Sequence, residues 1–153
     1  MSVRLDDAEV QEFLSHAHTG ILTTLRASGA PISLPIWFVA LDGFIYIQTP
    51  SRAKKAVRIR RDPRVAFLVE SGVRWAELKA VHLSGRARFT DDEDELKRVS
   101  EAMMEKYQSF RTARANYPSD TRKHYSDDRL TIRIEPEGPV LSWDNAKIRL
   151  NPG

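Results

Sequence analysis

Leu41-Asp42-Gly43-Phe44 restricts the fold of this chain more than any other short stretch. Asp-Gly tolerates the positive backbone φ of a two-residue hairpin turn, and β-rich runs flank it, residues 32–40 before and 44–48 after. An antiparallel hairpin is predicted here. Comparable runs occupy residues 21–26, 65–69, 75–89 (with a bend at Gly85), 130–134 and 140–143. Ser28-Gly29 and Pro136-Glu137-Gly138-Pro139 supply turns between them. Pro35 falls inside the second strand. A proline cannot donate to a ladder, so this strand belongs at an edge or carries a bulge.

Three helices punctuate the strands. Asp6 followed by Glu9 reads as a capping box, and Val10, Phe13, Leu14 and Ala17 then share a face until Gly20. Ser51 is an expected N-cap for a second helix whose Ala53, Ala56 and Val57 face the core and which Asp62-Pro63 stops. Thr90 with Glu93 reads as another capping box, ahead of a stripe of Leu96, Val99, Ala102, Met103, Tyr107 and Phe110. Residues 111–128 are polar and expected to be irregular, and 144–153 read as a polar arm. Six or seven strands, about three helices and no repeating βαβ rhythm predict one mainly β (α+β) domain. Its expected architecture is a small closed or split antiparallel barrel flanked by helices.

The 153 residues suffice for one domain with its own core. The absence of cysteine excludes a disulfide framework, a thiolate metal site and a cysteine nucleophile. No apolar run approaches the roughly 20 residues needed to span a membrane. Residues 1–7 show no secretory pattern, so a cytoplasmic protein is expected. His16, His18, His82 and His124 have no shared metal-ligand spacing and read as structural or exposed, so no metal is expected. Asp91-Asp92 suits the first turn of a helix rather than acid–base catalysis. Glycine-rich phosphate or dinucleotide loops and a Gly-x-Ser-x-Gly elbow are absent from the sequence.

Charge is concentrated in one place. Arg52, Lys54, Lys55, Arg58, Arg60, Arg61 and Arg64 face a single anion, Asp62, so this segment carries +6 in a chain of net charge +3. A solvated helix face would account for such a run, but its neighbourhood argues for more. In Tyr46-Ile47-Gln48-Thr49-Pro50-Ser51-Arg52-Ala53-Lys54-Lys55, a strand delivers hydroxyls and cations to a helix start, where unpaired N–H groups favour an anion. Thr49 and Ser51 can donate hydrogen bonds, and Arg52 and Lys55 can neutralise phosphate. Aromatic residues are not interleaved with the cations, so nucleic acid is not expected as a partner.

Thr-Pro-Ser-Arg after a strand, Lys55 eight residues before Pro63, and Ile59-Arg60-Arg61-Asp62-Pro63-Arg64 before the next strand resemble the pyridoxamine 5′-phosphate oxidase-like superfamily of flavin-binding split barrels. Thr19-Gly20-Ile21-Leu22-Thr23-Thr24, Pro35-Ile36-Trp37-Phe38 and Leu83-Ser84-Gly85-Arg86-Ala87 add to the likeness, which spans about half the chain. The resemblance implies a homodimer with cofactor at the subunit interface. Its isoalloxazine ring would lie against Ser33, Leu34, Pro35, Ile36 and Trp37. Thr49, Pro50, Ser51, Arg52 and Lys55 would hold its phosphate. The 32–38 stretch lacks a basic residue, and Ala53-Lys54 precede Lys55 where the pyridoxal-phosphate-forming oxidases have Ser-Arg. Those departures argue against pyridoxamine phosphate oxidation itself.

The chain looks closer to the short actinobacterial branch, many of whose members use the deazaflavin coenzyme F-420, with FMN the alternative. A polyglutamate tail would suit Lys54, Arg58, Arg60 and Arg61. The implied activity is hydride transfer from the reduced deazaflavin to an activated double bond of a small organic acceptor. A non-catalytic flavin- or haem-binding protein is the rival reading. Trp37, Trp75 and Tyr107 are candidate pocket walls, and Lys79 and His82 candidate polarising groups. No catalytic residue is assigned.

Overall fold

One continuous stretch of chain begins on one edge of the sheet and ends on the other. The computed structural model describes residues 2–121 and 128–149. In it, the expected second strand is two strands, β2 (Pro31–Ile36) and β3 (Val39–Leu41), separated by Trp37 and Phe38. β2 pairs with β1 (Gly20–Leu25), and β3 pairs with β4 (Phe44–Pro50). The remaining members are β5 (Arg64–Ser71), β6 (Lys79–Thr90) and β7 (Arg129–Pro136), in the order β2-β1-β5-β6-β7-β4-β3. Two residues can bridge at most about 11 Å between Ile36 and Val39. The two sheet edges therefore meet at Trp37–Phe38, and the sheet curls into a split barrel.

An eighth strand, β8 (Leu141–Asp144), shares one side of β6 with β7. β8 pairs with Lys79–His82 and β7 with Gly85–Thr90, so β6 changes partner where the sequence predicts a bend. Gly85 is needed there because a Cβ would overlap the carbonyl oxygen of Glu135 on β7. The Asp-Gly hairpin forms as expected: Asp42 and Gly43 have φ of 54° and 82°, joining Leu41 to Phe44. Pro35 lies on the edge strand β2, one of the few places in a sheet that tolerates a residue without an N–H.

Alternation on the strands sends Leu22, Ile45, Ile47, Phe67, Val69, Val81, Leu83, Ile132 and Ile134 into the barrel, all under 5% exposed. Helix α1 (Asp7–His16) adds Val10 and Leu14, with Asp6 accepting from the Glu9 N–H at 2.8 Å. Helix α2 (Lys54–Arg61) adds Ile59. Helix α3 (Glu93–Tyr107) lies on the outside, its Val99, Met103 and Tyr107 stripe packed on Val39 and Tyr46.

Several expectations are corrected. The N-cap of α2 is Ala53, not Ser51, because Pro50 and Ser51 first form a turn closed by Ala53 N–H to Pro50 O. Val57 is 50% exposed, since Ala56 and Ile59 take the core side. The cap of α3 is Asp92, bonded to the Glu95 N–H, while Thr90 donates its hydroxyl to the Glu95 carboxylate. Trp75 sits in a 3₁₀ turn before β6, and Phe110 in another beyond α3. Within residues 144–149, the Asp144 N–H bonds Val3 O and Lys147 pairs with Glu9. His124 and residues 150–153 lie outside the described residues.

Candidate cofactor site

The β4–α2 junction holds a buried hydroxyl at the end of the strand and a group of cations on and near the helix that follows. Thr49 ends the inward-facing row of Ile45 and Ile47; it is 1% exposed, and its Oγ1 has no hydrogen-bond partner among the described residues. A buried hydroxyl without a partner costs about 1–3 kcal/mol, so this one calls for a ligand or a bound water. The α2 N-terminus has no side-chain cap and no acid in its first turn, leaving its amide dipoles uncompensated. Lys55 is half-buried, and its ammonium is pushed below the usual lysine range by burial, then by the nearby Arg58 and Arg129. A half-buried lysine whose charge two arginines disfavour, in the first turn of an uncapped helix, is a surrounding in which an anion would be stabilised.

The long-range pairing of β4 with β7 creates this cluster. Register places Arg129 opposite Pro50 and Leu130 opposite Thr49. Arg129 was missed in the sequence because it lies nearly 80 residues away, with no local signal tying it to α2. Arg58 donates from Nε to the buried Thr24 hydroxyl at 3.0 Å, fastening α2 to β1. Arg60 and Arg61 diverge: Arg60 reaches Ser51 O at 3.2 Å and lies over the Phe89 ring, whereas Arg61 reaches Leu25 O at 2.9 Å. Lys54 and Arg52 are exposed, and Ser51 is half-buried with its N–H bonded to Asp128 O.

The second predicted stretch runs along β2 from Ser33 to Ile36 and ends at Trp37 just past it, and β2 is joined to the junction through β1. Ser33, Leu34 and Pro35 are exposed, and Ile36 and Trp37 half-buried. Ser33 Oγ shares a 2.7 Å hydrogen bond with Thr23 Oγ1. Trp37 stacks on Tyr107 at 4.4 Å between centroids with planes 3° apart. The Tyr107 hydroxyl in turn accepts from the Phe38 N–H at 2.9 Å and is within bonding distance of the Phe38 and His18 carbonyls. Lys106 donates to Phe38 O at 2.9 Å, and burial lowers its ammonium to about 8.

Other candidates are not brought together. Lys79 leans over Phe13, and His82, an odd number of residues away, faces the opposite side of β6. Trp75 is 59% exposed, in the turn before β6. A cleft of about 290 Å³ lies between α1, β3 and α3, and one of about 40 Å³ beside Leu83 and Pro136; neither is lined by a predicted site residue. No three His, Asp or Glu side chains among the described residues form a metal cluster. No described helix is long and apolar enough to cross a membrane.

Residues 6–138 match the family described as Pyridoxamine 5′-phosphate oxidase. The chain belongs to this family. A relative in Mycobacterium tuberculosis, named F420H(2)-dependent biliverdin reductase, is 31% identical over 117 residues, covering 75% of this chain and 79% of its own. The crystal structure of a conserved hypothetical protein from the same species superimposes with a TM-score of 0.79 at 29% identity, covering 100% of this chain and 96% of that one. The heme storage protein of Vibrio cholerae shares the fold, with a TM-score of 0.69 at 19% identity over 94% of this chain and 96% of its own. Proteins named for different cofactors thus share this fold, and the barrel by itself does not select the cofactor.

Proposed function

We propose that this chain is an oxidoreductase that binds reduced coenzyme F-420 and transfers hydride to a small organic acceptor. The observation that carries the reading is the β4–α2 junction, where the unpartnered buried Thr49 hydroxyl ends the strand and Lys55, with Arg58 and Arg129 near it, follows at the uncapped start of the helix. The name of the mycobacterial relative supports a deazaflavin over FMN. When bound, the reduced deazaflavin supplies the hydride. The protein's part is to bind and orient. Thr49, Ser51 and Lys55 would hold the phosphate together with the α2 N-terminus, while Ser33, Leu34, Pro35 and Ile36 would offer the edge strand to the ring and Trp37 would border the acceptor.

We infer a homodimer for the working protein. Strand registers align Pro35, Ile21, Leu68, His82 and Leu141 in one row across the outer face, with Trp143 beside it. Every member of the row is half-buried or exposed, Leu141 at 56% and Trp143 at 38%. A second copy covering this row would bring two β2 strands to the interface.

FMN is the second reading, favoured by the divergence of Arg60 and Arg61, which leaves no continuous track of cations for a polyglutamate tail. Separate titrations of F-420, FMN and haem with purified protein, followed by absorbance, discriminate among them. F-420 binding tightest supports the proposal. Tighter binding of FMN or haem overturns it. Native mass of the loaded protein reads the dimer.

A further inference from the structure

Four rings and one guanidinium converge where β2 breaks from β3. Trp37 lies flat on Tyr107, and His18 meets Trp37, Tyr107 and Phe110 edge-on at 5.9, 5.4 and 4.5 Å. Tyr107 is fully buried and fixed by its backbone hydrogen bonds, so the platform is rigid. Its outer members are not buried: His18 is exposed and Phe110 is 59% exposed. Arg111 places its guanidinium 5.7 Å from the Trp37 ring centroid and forms no ion pair or side-chain hydrogen bond among the described residues. The neighbouring cation, Lys106, is committed to Phe38 O, which leaves Arg111 as the charge available to an incoming anion.

We propose that this platform is the acceptor subsite and that it takes planar conjugated molecules bearing a carboxylate. The geometry supplies both halves of such recognition. Rigid rings offer stacking area at low entropic cost, and an exposed guanidinium offers a paired hydrogen bond to a carboxylate. The assignment rests on the cofactor reading in one respect: Trp37 directly continues the strand assigned to the ring.

The test uses two fluorescent probes, anthracene-2-carboxylate and its neutral amide, with binding followed by anisotropy on the cofactor-free full-length chain. The wild type is expected to prefer the carboxylate. Arg111→Gln should weaken the carboxylate about tenfold or more, as for loss of a charged hydrogen bond, and leave the amide nearly unchanged. Phe110→Ala should weaken both probes alike. Both side chains are exposed, and near-UV circular dichroism confirms that the variants fold. Equal binding of the two probes, an unaffected carboxylate in Arg111→Gln, or no binding of either would overturn the subsite. F-420 and FMN are titrated on the same samples. Protein that takes the carboxylate probe through Arg111 but neither cofactor retains the subsite and overturns the cofactor reading; protein that binds a cofactor without the Arg111-dependent preference does the reverse.

Discussion

Replacing Tyr107 with phenylalanine removes one oxygen from the point where the barrel closes. The ring stays, so the 4.4 Å stack with Trp37 is retained and the effect isolates the hydroxyl. That hydroxyl accepts from the N–H of Phe38, a residue 0% exposed, and has one proton to give to the carbonyl of Phe38 or of His18. The Phe38 carbonyl keeps Lys106 as a donor, and the exposed His18 can turn to water. The Phe38 N–H has no substitute. A buried donor left unsatisfied costs about 1–3 kcal/mol, and the lost donor bond adds about 0.5–1.5 kcal/mol. We expect Tyr107→Phe to destabilise the fold by about 2–3 kcal/mol. With a urea m-value of about 1–3 kcal/mol/M, the unfolding midpoint falls by about 1 M with the slope unchanged, while far-UV circular dichroism of the folded protein stays the same. A loss below about 0.5 kcal/mol would refute the reasoning, because it would mean that Phe38 N–H finds another acceptor without cost.

Three further outcomes follow from the same structure. Lys55→Ala should weaken cofactor binding by about 1.5–3 kcal/mol in a spectral titration, yet leave the cofactor-free protein as stable or more so, since burial, Arg58 and Arg129 all disfavour the ammonium; a large stability loss with unchanged affinity would make the lysine structural. Glu95 is held at about 2, below its ordinary 4.5, by hydrogen bonds from Thr90 and Tyr46 and by Arg133. Its contribution is therefore complete above pH 4.5 and lost as pH falls toward 2, and Glu95→Gln should flatten the acid limb of a stability–pH curve. Gly85→Ala should destabilise by about 1–3 kcal/mol or more, because the added methyl meets the Glu135 carbonyl across the β6–β7 ladder; thermal unfolding at wild-type midpoint would count against that contact.

Local chemistry reaches far in this chain because turns and caps are decided by neighbours. Asp42-Gly43, the Asp6 cap, the stop at Asp62-Pro63 and the bend at Gly85 are legible from residue type, and the positions of the strands follow from them. The same local reasoning misplaced the α2 cap. Pro50-Ser51 can open either a turn or a helix, and the Ser51 N–H bond to Asp128 O selects the turn.

The sequence by itself determined an antiparallel barrel of short strands and a basic segment following a strand, since both depend on alternation and on charge within a few residues. Only tertiary structure decided which cations meet. β4 pairs with β7 through contacts 79 to 89 residues apart, which brings Arg129 to Lys55, and helical rotation sends Arg60 and Arg61 to different acceptors. It likewise decided that Trp37, His18, Phe110 and Arg111 share one platform, because Tyr107 pins three separate segments of chain at the closing point of the barrel. Side-chain partners across such distances are set by register and packing, which no local pattern encodes.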